Sequence, residues 1–259
     1  MTSQPGHRPD IAVSSRPARL RRALRQRFSP FLLAAAVGGG MTGGVWALSP
    51  GLLPPALAAE SAVLAPVPKI DAIPARKLET AVFAGGCYWG VEGVFSHVKG
   101  VKLAVSGFAG GPRTMKVDYD RVGEGDTGYA ESVRVTYDPQ VVSYGALLRI
   151  FFSVIADPTT LNYQGPDHGT QYRSALFPLN AEQAKAANAY LAQLGQAKLW
   201  NGPIVTKVER FTGFQDGPAY HQNFLERNPR HPYILRWDAQ KVAALKQLFP
   251  QYYSERPSA

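Results

Sequence analysis

The chain contains one cysteine, Cys87, in the stretch AVFAGGCYWGVEG (residues 81–93). Two glycines precede it, and Tyr88 and Trp89 follow it. A thiol where a strand gives way to a helix faces unpaired backbone N–H groups and the positive end of the helix dipole. Both stabilise a thiolate. Glycines let other groups approach the sulfur closely, and the two rings can form an apolar wall beside it. The chemistry this suits is nucleophilic attack on a small apolar substrate group. The same pattern also fits a thiol buried as a small apolar residue, with the rings as core.

Two further stretches hold groups that could join such a site. VDYDRVGEGDTGYAESV (117–133) is rich in glycine and acids and reads as a loop between two strands. Glu131 sits where this loop enters the second strand, and Tyr119 and Tyr129 bring hydroxyl donors. Taken alone, it also fits a solvated acidic loop. NYQGPDHGTQYRSALF (162–177) places Asp167 and His168 among turn formers, with Tyr172 opening the next strand. Cys87 with His168 fits a cysteine hydrolase, but His97 and His221 are equally available partners. A thiol-based redox sensor or peroxidase is another alternative. None of the five histidines has neighbouring ligands at metal-binding spacing, so no metal site is expected.

The elements that must position these groups follow from pattern. LETAVFA (78–84) predicts a short apolar strand that ends at Gly85-Gly86. From Cys87 onward, Val91, Val94, Phe95 and Val98 recur at helical spacing. Strands are predicted over 101–110 and 128–139, the latter with Val133, Val135 and Tyr137 alternating against Ser132, Arg134 and Thr136. A helix over 143–155 has Ser143 as its N-cap. A strand over 172–179 precedes a helix over 180–196 capped by Asn180. A strand over 203–209 and a helix over 238–249 complete the set. Strands and helices mix without strict alternation, which is the α+β class.

The formal charge is +9, but its distribution argues against nucleic-acid binding. Seven arginines (Arg8, Arg16, Arg19, Arg21, Arg22, Arg25 and Arg27) and only one acid, Asp10, stand in residues 1–59, which leaves +3 for the remaining 200 residues. The arginines precede an apolar stretch from Phe31 to Leu48, and Ala56-Leu57-Ala58 fits a small-x-small cleavage site. Residues 1–58 therefore read as a signal segment for export to the bacterial periplasm. An uncleaved anchor in the inner membrane is the alternative. Residues 59–77 contain several prolines and read as an extended tether, with the catalytic domain at 78–259. The chain shows no heptad and no oligomer seam, so a monomer is expected. With one cysteine, no disulfide can form within the chain.

Together the three clusters resemble the A-type peptide methionine sulfoxide reductases. The resemblance is carried by Gly86-Cys87-Tyr88-Trp89-Gly90, by Gly125-Asp126-Thr127-Gly128-Tyr129-Ala130-Glu131, by Asp167-His168-Gly169-Thr170-Gln171-Tyr172-Arg173-Ser174 and by YHQNFL at 220–225. It runs from about Leu78 to at least Asn228. It implies a two-layer, ferredoxin-like sandwich and reduction of methionine-S-sulfoxide to methionine. It places the attacking thiol at Cys87, the essential acid at Glu131, tyrosines near the sulfoxide oxygen at Tyr119 and Tyr172, a supporting acid at Asp167, and the substrate rings at Tyr88 and Trp89. Tyr88 replaces the usual phenylalanine, Tyr129 stands where histidine is frequent, and Ala156 stands where histidine is expected. Relatives often carry a second, resolving cysteine near the C-terminus, which this chain lacks. The resemblance thus implies no bound cofactor and an external reductant: a thioredoxin-like protein, glutaredoxin with glutathione, or a small dithiol. The other partner is an oxidised protein or peptide containing methionine sulfoxide.

Overall fold

A computed structural model describes residues 62–258. The signal segment expected over 1–58 lies outside the described residues. The strands are β1 (Glu79–Gly85), β2 (Val101–Ala109), β3 (Ala130–Tyr137), β4 (Tyr163–Gln164), β5 (Asp167–His168), β6 (Ser174–Phe177), β7 (Lys207–Val208) and β8 (Phe214–Asp216). The helices are α1 (Tyr88–Ser96), α2 (Tyr119–Gly123), α3 (Tyr144–Ile150), α4 (Ala181–Ala197), α5 (Phe224–Arg227) and α6 (Ala239–Leu248).

Six strands form one sheet in the order β7-β6-β1-β3-β2-β8, antiparallel except for the β6/β7 pair. The four central strands, with α1 joining β1 to β2 and α3 lying between β3 and β6, have ferredoxin-like order. The α+β class is as expected.

The two-residue period of the strands decides which core each side chain joins. From β1, Ala81 and Phe83 enter the large core under the helices, while Val82 and Ala84 join a smaller cluster on the other face with Ala130, Ala175 and Phe177. From β3, Val133, Val135 and Tyr137 face the large core, as their alternation predicts. Ser143 and Asn180 cap α3 and α4 by accepting the backbone N–H groups of Ala146 and Gln183 at 3.1 and 2.8 Å. Each relieves one of the unpaired donors at a helix start.

Several expectations change. The strand expected over 203–209 forms only at Lys207–Val208, and Tyr172 ends a 3-10 turn two residues before β6 rather than opening the strand. The described part of the predicted tether, 62–77, has no helix or strand but is fastened to the domain. Val63 N and Ala65 N donate to the carbonyl and hydroxyl of Ser153, and Tyr190 donates to the carbonyl of Pro66. Asp71 accepts from Ser143 Oγ and Gly145 N at the start of α3. Prolines made the segment extended, and an extended chain leaves its backbone groups available to a neighbouring surface. The helix predicted over 143–155 is α-helical only to Ile150. Phe151–Ile155 form a wider π turn that includes Ser153. The acidic loop contains the short helix α2, begun by Asp118, whose side chain accepts from Arg121 N at 2.9 Å.

Candidate active site

Cys87 is the N-cap of α1, directly after β1. The turn before it depends on Gly86. Its φ is +87°, and a Cβ there would lie 2.5 Å from Cβ of Gln164. Gln164 in turn is tied to the Asp157 backbone, accepting from Asp157 N at 2.9 Å and donating to its carbonyl at 2.9 Å. Both the backbone conformation and the close approach demand glycine. Gly86→Ala is expected to destabilise the protein by about 1–3 kcal/mol for the conformation alone, read as a lower denaturation midpoint. An unchanged midpoint would remove the steric argument for this turn.

Glu131 is the second residue of β3 and is 3% exposed. Its Oε2 accepts the N–H of Tyr88 at 3.0 Å, across 43 residues of sequence. That N–H is one of the unpaired donors of α1, so the helix start that holds the thiol also holds the acid. Burial raises the Glu131 pKa to about 8, with Asp167 and Asp238 pushing the same way and the Tyr88 N–H opposing. At neutral pH the carboxyl is therefore mostly protonated.

The thiol differs from expectation. The Trp89 N–H does point to the sulfur and favours thiolate. Burial and the negative charges of Glu131, Asp238 and Asp167 outweigh it, and the Cys87 pKa lies well above its ordinary value. A helix N-terminus is worth a fraction of what desolvation and nearby carboxylates cost a thiolate. One of those charges, that of Glu131, is removed when Glu131 carries its proton.

The rings assemble around this pair. Tyr88 is 1% exposed and packs near Tyr119 and Phe108, with ring centroids 6.4 and 5.9 Å away. Burial raises the Tyr119 pKa to about 12 and raises that of Tyr172 further, and in both Glu131 adds to the shift. Both hydroxyls thus remain protonated donors near the acid. Trp89 stacks on Phe224 of α5, with centroids 3.7 Å apart and planes at 9°, and Tyr233 stands edge-on to it at 5.7 Å. Asp167, at the β4/β5 hairpin, accepts a hydrogen bond from the Tyr233 hydroxyl. Cys87, Asp167 and Tyr233 share a cavity of about 320 Å³ with Gln164 and Trp237.

Of the seven residues singled out from sequence, Cys87, Glu131, Tyr119, Tyr172 and Asp167 therefore meet electrostatically at one place; Tyr88 packs near Tyr119 and Trp89 against Tyr233, and neither lines the cavity that Cys87 and Asp167 share. His168 does not join them. It is exposed and stacks on Tyr163 across the β4/β5 hairpin, centroids 5.1 Å apart. Tyr129 is anchored elsewhere: its one hydroxyl proton is shared between the carbonyls of Pro112 and Met115, at 2.9 and 3.1 Å, and its oxygen accepts from Gln215 Nε2. Its hydroxyl holds the 112–115 loop against β8. Tyr233, Asp238, Gln164 and Phe224 were not singled out. Phe224 lies in the quoted YHQNFL stretch, but the segment around Tyr233 and Asp238 carries no local motif that marks it.

A lone thiol beside a buried, protonatable carboxyl and a set of aromatic rings, at the ends of the central strands β1 and β3 of a ferredoxin-like sheet, defines a thiol enzyme equipped for acid-assisted attack. The family model for peptide methionine sulfoxide reductase matches residues 79–253. The chain is 57% identical over 179 residues to peptide methionine sulfoxide reductase MsrA 2 of Mesorhizobium japonicum, covering 69% of this chain and 91% of that protein. It is 46% identical over 198 residues to MsrA 2 of Synechocystis, covering 75% and 90%. Among solved structures, methionine sulfoxide reductase A of Corynebacterium diphtheriae matches with a TM-score of 0.52 at 32% identity, covering 68% of this chain and 93% of that one. Reduced Mxr1 of Saccharomyces cerevisiae matches with a TM-score of 0.51 at 36% identity, covering 63% and 92%. The chain belongs to the peptide methionine sulfoxide reductase family, in its A-type branch. It is an oxidoreductase that reduces methionine sulfoxide, a peptide-methionine (S)-S-oxide reductase.

Proposed function

We propose that Cys87 attacks the sulfoxide sulfur while Glu131 protonates the sulfoxide oxygen. The observation that carries this reading is the hydrogen bond from Tyr88 N–H to Glu131 Oε2, which places a carboxyl with a pKa of about 8 beside the thiol. Sulfoxide sulfur becomes electrophilic when its oxygen is protonated or strongly hydrogen-bonded. Glu131 gives its proton to that oxygen and is recharged by the thiol proton, so it ends as it began. Tyr119 and Tyr172 donate to the charge that develops on the oxygen. Tyr88 and Trp89 hold the S-methyl group by apolar contact, and Asp167 supports the site through Tyr233. The sulfoxide S–O bond breaks, the oxygen with the proton from Glu131 ends on the Cys87 sulfur as a sulfenic acid, the thiol proton stays on Glu131, and methionine leaves.

Regeneration falls to an outside thiol. Cys87–S–OH and a thiol give a mixed disulfide and water, and a second thiol then releases Cys87–SH and the oxidised donor. The chain's single cysteine supports this, since no internal disulfide can form. The donor is a thioredoxin-like protein, glutaredoxin with glutathione, or a small dithiol, and no bound cofactor takes part. The enzyme acts as an exported monomer, with residues 1–58 as its periplasmic signal and the remainder as one catalytic unit, repairing oxidised methionine in proteins. The test is reduction of the two methionine sulfoxide epimers in a peptide, with and without dithiol. The S epimer is expected to turn over many times with dithiol and once per Cys87 without it. Multiple turnovers without reductant, or equal rates for both epimers, would overturn the reading.

A further inference from the structure

The YHQNFL stretch holds a histidine that the proposed chemistry does not use. His221 is 3% exposed. It lies in a short turn, Ala219–His221, where its backbone N–H donates to the Pro218 carbonyl at 3.0 Å. Its ring sits against four aromatic side chains, with centroids 4.1 Å from Tyr220, 4.4 Å from Tyr119, 5.3 Å from Tyr88 and 5.5 Å from Trp89. Among the described residues the ring makes one hydrogen bond: the indole Nε1–H of Trp89 donates to Nδ1 at 2.8 Å. Indole N–H is a donor only. Nδ1 must therefore be the acceptor, and the ring must be the neutral tautomer with its proton on Nε2. Burial pushes the His221 pKa down, which agrees with a neutral ring.

The residues on either side make His221 a fixed support. Gln222 clasps β2 at both ends of its amide: Ser106 N donates to Oε1 at 2.9 Å, and Nε2 donates to the Ser106 carbonyl at 2.9 Å. Asn223, at φ +52°, donates its N–H to Oε2 of the buried Glu92 on α1 at 2.9 Å. Phe224 stacks on the indole face. Consecutive residues of one short stretch thus reach β2, α1 and the ring of Trp89. Stacking fixes the plane of an indole but leaves it free to slide and rotate within that plane. A hydrogen bond to the ring nitrogen removes that freedom.

We propose that His221 is a positioning residue for substrate binding: as the neutral Nε2–H tautomer it holds Trp89 by its indole nitrogen and so sets the wall against which the sulfoxide methyl group packs. This rests on Trp89 lining the substrate site. In this assignment His221 exchanges no proton with Cys87, Glu131 or the sulfoxide; its ring also packs against Tyr119 and Tyr88, but its hydrogen bond goes to Trp89. Its effect on the reaction passes through Trp89 and falls on substrate capture more than on the chemical step.

The test compares His221→Leu, which removes the acceptor, with His221→Asn, whose Oδ1 can stand close to the position of Nδ1. In the Leu variant, KM for a methionine-S-sulfoxide peptide is expected to rise about 5- to 10-fold, the loss that one hydrogen bond commonly represents. The kcat is expected to change by less than half that factor, and the Asn variant to recover most of the loss. A second measurement needs no variant. In the ¹⁵N-labelled wild-type chain, the ring spectrum of His221 is expected to show the Nε2–H tautomer, and the Trp89 indole N–H to exchange slowly with solvent. An Nδ1–H tautomer, or an unprotected Trp89 indole, would overturn the hydrogen bond itself. A native KM in a folded Leu variant, or an Asn variant as impaired as Leu, would overturn the positioning role. Failure of the underlying reading looks different: the tautomer and indole protection would stand as expected, while Trp89→Ala left KM unchanged.

Discussion

Cys87→Ser is expected to abolish methionine sulfoxide reduction, with a loss on the order of 10⁴-fold or more, as for removal of other enzyme nucleophiles. The argument is one of inventory and reach. Cys87 is the only cysteine in the chain, so no second thiol can take its place. A serine hydroxyl at the same N-cap would preserve the fold, since serine is a good N-cap residue, but it is a far weaker nucleophile and cannot be oxidised to a sulfenic acid. The variant should fold with a denaturation midpoint near that of the parent. Peptide methionine formed in a single turnover would be read by mass, with a trap for sulfenic acid as the second readout. The parent should give one methionine and one trapped sulfenic acid per chain, and the variant neither. Retention of near-parental turnover by Cys87→Ser would remove the sulfur from the mechanism altogether.

Much of this site is legible in the sequence, and the reason is local. Cys87 at a strand-to-helix junction, Ser143 and Asn180 as caps and the alternation through Val133, Val135 and Tyr137 are all properties of a few consecutive residues. Those elements fall where they were expected. The reading stopped where contacts span long separations. Tyr233 meets Asp167 across 66 residues, and Trp89 meets His221 across 132. No period or turn signal marks such partners. The 62–77 segment failed for a related reason. Its composition correctly gave an extended chain, but the donors and acceptors that dock it belong to Ser153, Tyr190 and Ser143 far along the sequence. The expected thiolate failed on magnitudes. A helix terminus was visible in the sequence, and the resemblance placed Glu131 and Asp167 at the site, but Asp238 carried no mark and the burial that dominates the shift is not a local property.

That balance of charges gives the second large effect, at Glu131. Glu131→Gln is expected to slow sulfoxide reduction in a single turnover by about 10²-fold or more, the usual range for loss of a general acid, with a smaller effect on substrate binding. Glutamine keeps an acceptor for the Tyr88 N–H but carries no transferable proton. The pH dependence separates acid catalysis from simple packing. With a pKa of about 8, the parent holds the active, protonated carboxyl through neutrality and loses it as pH rises through about 8. Ionisation there costs twice, since the proton is gone and the new carboxylate further opposes a thiolate at Cys87. The single-turnover rate should therefore fall above about pH 8 in the parent, and this limb should be absent from the variant.

Stability must move with the same titration. The folded pKa lies above the ordinary value of 4.5, so the folded state binds the proton more tightly than the unfolded state. Between about pH 4.5 and 8 the parent loses stability as pH rises, at up to ~1.4 kcal/mol per unit from this group. Glu92, which burial raises to about 7, adds a slope of the same sign over the narrower window between about pH 4.5 and 7, in parent and variant alike. The variant should thus be more stable relative to the parent at pH 9 than at pH 5, even as it loses activity at both. Denaturation midpoints at the two pH values, set beside the single-turnover rates, read both consequences of one buried carboxyl. A variant that gained no relative stability at pH 9 would show that Glu131 is not held protonated, and an unchanged single-turnover rate would show that its proton is not the one transferred.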